Sequence, residues 1–110
     1  MPKPGGNVVR VTKVVLDVLK PHQPTILELS KLLGELAGVR SVHTVLREVD
    51  ADTETVVLSI EGPALDYNAV LDIIRGCSAS VHSVDEVSVE KVEEGCLLYT
   101  SPSPRDRTRS

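Results

Sequence analysis

Tryptophan and phenylalanine are absent from this 110-residue chain, and only two tyrosines are present. Its core must therefore be aliphatic, built from the Val, Leu and Ile that dominate its 41% hydrophobic content. The same absence removes the aromatic pair that an RNA-recognition sheet stacks against bases. Two cysteines are too few for a disulfide framework, and no C-x-x-C spacing offers a metallochaperone site. There is no Gly-rich phosphate loop. No apolar run reaches bilayer-spanning length, and the chain does not open with the basic, apolar and small stretches of a signal peptide. Positive charge is also in deficit, with 12 Lys and Arg against 16 Asp and Glu and a net charge of −4. An acidic chain is a poor partner for nucleic acid or an anionic membrane. What remains is the expectation of one small, soluble, cytoplasmic domain.

The pattern along the chain then supplies elements. Met1 to Asn7 is Pro/Gly-rich and reads as a flexible start. Val8 to Leu19 interleaves two sets, Val14, Leu16 and Val18 on one side and Lys13, Val15, Asp17 and Leu19 on the other. That is a strand with one buried and one mixed face, closed by Pro21 and Pro24. Thr25 and Glu28 fit a capping box. Leu29, Leu32, Leu33 and Leu36 follow at helical spacing, with Gly38 placed to end the helix. Val39 to Val49 reads as a second strand, in which Val42, Thr44 and Leu46 alternate with His43, Val45 and Arg47. The pattern alone leaves open which set faces the core. Asp50 to Glu54 is a polar turn, and Thr55 to Glu61 alternates with Val56, Leu58 and Ile60 inward, completing a hairpin. Asp66 caps a second helix carrying Tyr67, Val70, Leu71 and Ile74, which Gly76 ends. Ser78 to about Val92 is the last strand.

The order β-α-β-β-α-β is that of the α+β ferredoxin-like sandwich. It predicts a four-stranded antiparallel sheet in the order 4-1-3-2 with both helices on one face. The other face is left open or is covered by another subunit, and its valines would suit a homo-oligomer interface.

Cys96 to Ser110 (CLLYTSPSPRDRTRS) breaks with everything before it. Pro, Ser and Arg replace the Val/Glu pattern, and CLLYTSPSPRD resembles the in-frame translation of a transposase sequencing adapter. The folded domain is accordingly expected over residues 8–94, with 95–110 as a non-native tail. Setting the tail aside removes three of the 12 basic residues and one of the 16 acidic ones, for a net charge of −6. It also removes the basic terminus that would have suggested nucleic acid, and it leaves Cys77 and Tyr67 alone of their types.

Four stretches carry a family resemblance: LDVLKPH (Leu16 to His22), EVDADTE (Glu48 to Glu54), the IEG-x-x-LDY run (Ile60 to Tyr67) and HSVDEV (His82 to Val87). Together they resemble the archaeal family known as domain of unknown function 211, over most of Val11 to Glu94. The resemblance implies a ferredoxin-like fold that assembles into homo-oligomers, with rings as the implied form. It implies no activity.

Candidate chemistry centres on carboxylates in strands. In the expected topology the first and last strands are antiparallel neighbours. If His22 lay near Ser80 to His82, Asp17 would fall near Asp85. Like charges facing each other on a sheet are unfavourable, and a hard cation such as Ca²⁺ or Mg²⁺ would relieve them. The expected metal ligands are Asp17, Asp85 and Glu86, with Glu48 from a neighbouring strand or subunit. The alternative is that Lys13, Lys20 or solvent screens these acids. His22 and His82 could share a transition metal, but two histidines are an incomplete zinc set. Cys77 falls at a helix end, where a small buried residue is ordinary. Asp50, Asp52 and Glu54 begin like a calcium loop, yet its central Gly and closing Glu are missing, so a hairpin turn is the better reading. Ser80, His82 and Asp85 share one strand, which splays them between faces and removes a triad. The reading that results is a non-enzymatic, homo-oligomeric binding module with a divalent-cation site. A small-molecule sensor of the amino-acid-binding kind is the alternative, and a hydrolase using the carboxylates comes third.

Overall fold

A computed structural model describes residues 7–93, and its elements arise where the alternation and the helical spacing place them. They are β1 (Asn7–Pro21), α1 (Ile26–Gly34), β2 (Ser41–Val49), β3 (Thr53–Glu61), α2 (Tyr67–Gly76) and β4 (Ser80–Glu93). The strands form one antiparallel sheet in the order β2-β3-β1-β4, which is the expected 4-1-3-2 order read from the other edge. The described residues divide into two compact units, 11–89 and one holding 7–10 with 90–93. Both helices and the core of the sheet belong to the first. The tail assigned to the adapter lies outside the described residues.

Strand periodicity decides the layers. Val14, Leu16 and Val18 on β1 and Val56, Leu58 and Ile60 on β3 are buried against Leu29 and Leu33 of α1 and Val70 and Ile74 of α2. Fully burying each such aliphatic side chain contributes about 1.5–3 kcal/mol. The register aligns these sets, with Leu16 opposite Leu58 and Val18 opposite Val56. On β2 the set left open by the sequence is now assigned. Val42 and Thr44 pair with Ile60 and Leu58 of the buried set, and Thr44 Oγ1 hydrogen-bonds the Ser30 hydroxyl of α1 at 2.6 Å.

Helix starts follow their caps. Thr25 accepts from the Glu28 N–H while the Glu28 side chain accepts from the Thr25 N–H, completing the capping box. Asp66 accepts from the Ala69 N–H at 3.2 Å. The end of α1 differs from the expectation. The helix stops at Gly34 with Glu35 as its cap, and the Glu35 N–H forks between the Lys31 and Leu32 carbonyls. The chain then tightens through Leu36 N–H to Leu33 O at 3.2 Å. Gly38 serves the following turn at φ +86°, where an added Cβ would collide with the Ala64 carbonyl. Leu32, grouped with the apolar stripe in the sequence, is exposed.

Candidate functional site

The sheet face away from the helices carries the odd positions of β1: Lys13, Val15, Asp17 and Leu19. Asp17 pairs across to Val57 and Leu19 to Thr55 on β3. Beyond β3, strand β2 runs regularly until a register shift between Leu46 and Glu48, so that Glu48 pairs with Thr55 and Val49 with Glu54. A bulge inserts one residue and re-aims side chains. Here it lets the consecutive residues Arg47 and Glu48 line the same hollow, which strict alternation would forbid. That hollow, of about 280 Å³, is lined by Asp17, Arg47, Glu48 and Thr55. An adjoining one of about 320 Å³ shares Asp17, Glu48 and Thr55 and adds Leu19 and His82.

Asp17 is the centre of both. Its Oδ1 atom is buried and has no hydrogen-bond partner. An unsatisfied buried acceptor costs about 1–3 kcal/mol, and more when charged. Among the described residues, neither Arg47 nor Glu48 forms an ion pair. The cleft therefore gathers one cation and two carboxylates without pairing them.

The four residues expected to bind metal divide between two places. Asp17 and Glu48 share the cleft. Asp85 and Glu86 line neither hollow. Asp85 accepts from the exposed Ser83 hydroxyl at 2.8 Å. Its neighbour Glu86, which alternation turns to the other side, pairs with Lys13 at 3.3 Å. Lys13 also reaches Glu61 at 3.9 Å. The screening of Glu86 by Lys13 is thus realised. His82, three positions before Asp85, lines the second hollow with Asp17. Among the described residues, no group of three or more His, Cys, Asp or Glu side chains is arranged to hold a metal ion.

A second polar constellation closes the end of the sheet, and the sequence reading missed it. Lys20 is the next even position after Val14, Leu16 and Val18, so alternation carries its side chain inward, where it is fully buried. Glu54 stands directly opposite it on β3. The Lys20 ammonium donates to Glu54 Oε1 at 2.9 Å and to the Pro21 carbonyl at 2.8 Å. Glu54 Oε2 lies 3.0 Å from His22 Nδ1. His22 Nε2 is 3.0 Å from both the Asp50 and Ala51 carbonyls of the β2–β3 turn. With acceptors facing both ring nitrogens, the imidazole is satisfied only when doubly protonated. The hydrogen bond to Glu54, then that to the Ala51 carbonyl, raises the His22 pKa above its ordinary value. The His22 and Lys20 hydrogen bonds hold the Glu54 carboxyl below its own. His22 thus ties the hairpin turn, while His82 belongs to the cleft. Cys77 is the buried cap of α2, and His43 is exposed on β2.

These features define an α+β ferredoxin-like sandwich whose uncovered sheet face bears a charged cleft. Residues 12–95 match the DUF211 family, described as uncharacterized ArCR, and the chain belongs to that family. It is 37% identical over 97 residues to the uncharacterized protein MJ0319 of Methanocaldococcus jannaschii, an alignment spanning 88% of this chain and 96% of that protein. The archaeal resemblance carried by LDVLKPH and HSVDEV is thereby one of membership. Among the described residues, no helix is long and apolar enough to cross a membrane.

Proposed function

We propose that this DUF211 chain is a non-enzymatic, self-associating binding module whose open-face cleft receives a positively charged centre at Asp17 and Glu48. The observation that carries the reading is the buried, unpartnered Oδ1 of Asp17. Folding leaves such an atom unsatisfied only at a cost that a bound cation or ammonium offsets. The non-catalytic part is supported by how the polar groups are used. Both nitrogens of His22 are engaged with Glu54 and the hairpin turn. Ser83 is bonded to a carboxylate and not to a histidine.

The Ca²⁺ or Mg²⁺ reading keeps two of its four carboxylates in the cleft, and Arg47 in the same hollow works against it by charge repulsion. An ammonium, which needs fewer ligands than a divalent ion, fits Asp17 and Glu48 better. Self-association is supported by both sheet edges. Val45, Leu46 and Val49 on β2 and Val84, Val87 and Val89 on β4 are exposed. An apolar hollow of about 240 Å³ lined by Val11, Val14, Tyr67, Val84 and Val87 adjoins the β4 edge. Long apolar edge strands are templates for pairing. Joining the β2 edge of one copy to the β4 edge of the next is a head-to-tail contact of the kind that closes rings.

The test is a thermal-shift series with CaCl₂, MgCl₂, primary amines and free amino acids, on wild type and Asp17→Asn, beside light scattering for mass. At a ligand concentration about 100-fold above Kd, binding stabilises by about 2.7 kcal/mol. Wild type should gain midpoint with at least one cationic ligand and Asp17→Asn should gain none. Without ligand, the variant should melt at the same temperature or higher, because it removes the charge behind a buried, unpartnered oxygen. A flat response to every ligand would refute the cleft reading, and a monomeric mass at all concentrations would refute self-association.

A further inference from the structure

We infer that the ligand of the Asp17–Glu48 cleft is a small zwitterion of the α-amino-acid class, held by its ammonium at Asp17 and by its carboxylate at Arg47. The inference rests on the cleft being a ligand site, and it adds the ligand's second charge. A site for a bare cation gains nothing from a guanidinium, and repulsion makes one unfavourable. Yet alternation carries Arg47 to the open face after His43 and Val45, and the bulge brings Glu48 in beside it, so that both share the hollow with Asp17 and Thr55. Arg47 is on the exposed part of β2 and forms no ion pair among the described residues, so its donors are free for a ligand. A guanidinium presents a planar fork that matches a carboxylate in bidentate fashion.

The dimensions agree. Asp17 on β1 and the bulge on β2 are separated by β3, two inter-strand spacings or roughly 10 Å between backbones. Side chains reaching in from both strands narrow that span to one a compact zwitterion can bridge. The hollow, at about 280 Å³, sits near the lower limit of small-molecule pockets, roughly 300 Å³, which suits an amino acid better than a nucleotide. The adjoining hollow toward Leu19 and His82 offers space for a ligand side chain. Leu19, exposed on this face, gives that space an apolar wall.

The experiment is isothermal titration of the full chain with each of the twenty free L-amino acids, with Ca²⁺ and Mg²⁺ as separate arms. The best binder is then compared with the amine that lacks its carboxylate, and both are titrated into Arg47→Met and Asp17→Asn. The expected result is saturable binding of at least one amino acid. Removing the carboxylate from the ligand, or the guanidinium from the protein, should each weaken it about tenfold or more, the loss of a charge-assisted contact. Arg47→Met should bind the bare amine at least as well as wild type does, and Asp17→Asn should bind neither. The inference is overturned if no amino acid binds, or if Arg47→Met binds the amino acid like wild type. If only metal ions or bare amines bind, and Asp17→Asn loses them, the zwitterion assignment falls and the cationic-centre reading stands. If nothing binds, both fall.

Discussion

Replacing Glu54 with Gln should be among the most damaging single changes to this fold, although Glu54 is a polar residue next to a surface turn. Its carboxylate is the charge partner of the Lys20 ammonium, whose side chain is 0% exposed, at 2.9 Å. Gln keeps an acceptor oxygen but no charge, so the ammonium stays in the interior with two neutral acceptors, that oxygen and the Pro21 carbonyl, and no counter-ion. Breaking a buried pair from one side costs about 3–5 kcal/mol. A domain of this size has about 5–15 kcal/mol in total, and each kcal/mol moves the melting midpoint by about 4–8 °C. The expected loss is therefore roughly 12–40 °C. By contrast, Glu86→Gln removes an ion pair whose side chains are 32% and 54% exposed, and such surface pairs are worth about 0–1 kcal/mol. The assay is urea unfolding followed by far-UV circular dichroism, since the chain has no Trp. The decisive variant is Lys20→Met with Glu54→Gln, which removes both charges and should recover most of the loss. If Glu54→Gln costs no more than Glu86→Gln, or if the double variant is no better than Glu54→Gln alone, the buried pair does not have the role assigned to it.

The same cluster sets a pH optimum. Glu54 is lowered, so its contribution is complete above the ordinary carboxyl value near 4.5 and is lost as pH falls through its folded value. His22 is raised, so its contribution is complete below the ordinary imidazole value of 6.5 and is lost as pH rises through its folded value. Stability should therefore peak between about pH 4.5 and 6.5, and His22→Gln should flatten the alkaline side of that curve in urea titrations across pH. Two glycines of α1 and its exit separate space from conformation. Gly38→Ala combines φ +86° with a collision against the Ala64 carbonyl and should cost at least about 1–3 kcal/mol by the same unfolding assay. Gly34→Ala, with nothing near the added Cβ, should be neutral or stabilise by up to about 1 kcal/mol.

Much of the architecture was legible because burial on a sheet obeys a period of two. The split of β1 into Val14, Leu16, Val18 against Lys13, Val15, Asp17, Leu19 is the split between core and open face. The caps at Thr25 and Asp66 were legible for the same local reason, since a side-chain acceptor three residues before a free N–H needs no tertiary information. What depended on register was not legible. Placing Asp17 beside Asp85 required the β1–β4 offset, whereas the hollow at Asp17 is lined by His82 and Glu86 pairs with Lys13. Arg47 was hidden because the β2 pattern did not say which set faces the core, and its meeting with Glu48 depended on a bulge, which breaks alternation at one residue and leaves no mark in composition. Lys20 could have been found. It extends the buried even series of β1 by one step, and an inward lysine demands an acid opposite.

The two polar constellations lie on the same sheet and are treated oppositely by the fold, and this contrast supports reading one of them as functional. At the sheet end every strong group is answered. Lys20 has Glu54 and Pro21, Glu54 has Lys20 and His22, and His22 has Glu54 and two turn carbonyls. Such a network ties the β2–β3 turn to the end of β1. At the open face, on the side of the sheet away from the helices, Asp17 keeps a buried oxygen without a donor, and Arg47 and Glu48 share its hollow unpaired. The chain had a simple remedy, because Val, Thr or Asn at position 17 would leave no orphaned charge, and Val or Thr would also suit a β-strand face. A fold that pairs its buried lysine with a counter-charge while leaving a buried carboxylate oxygen open is the contrast on which the proposed cleft rests.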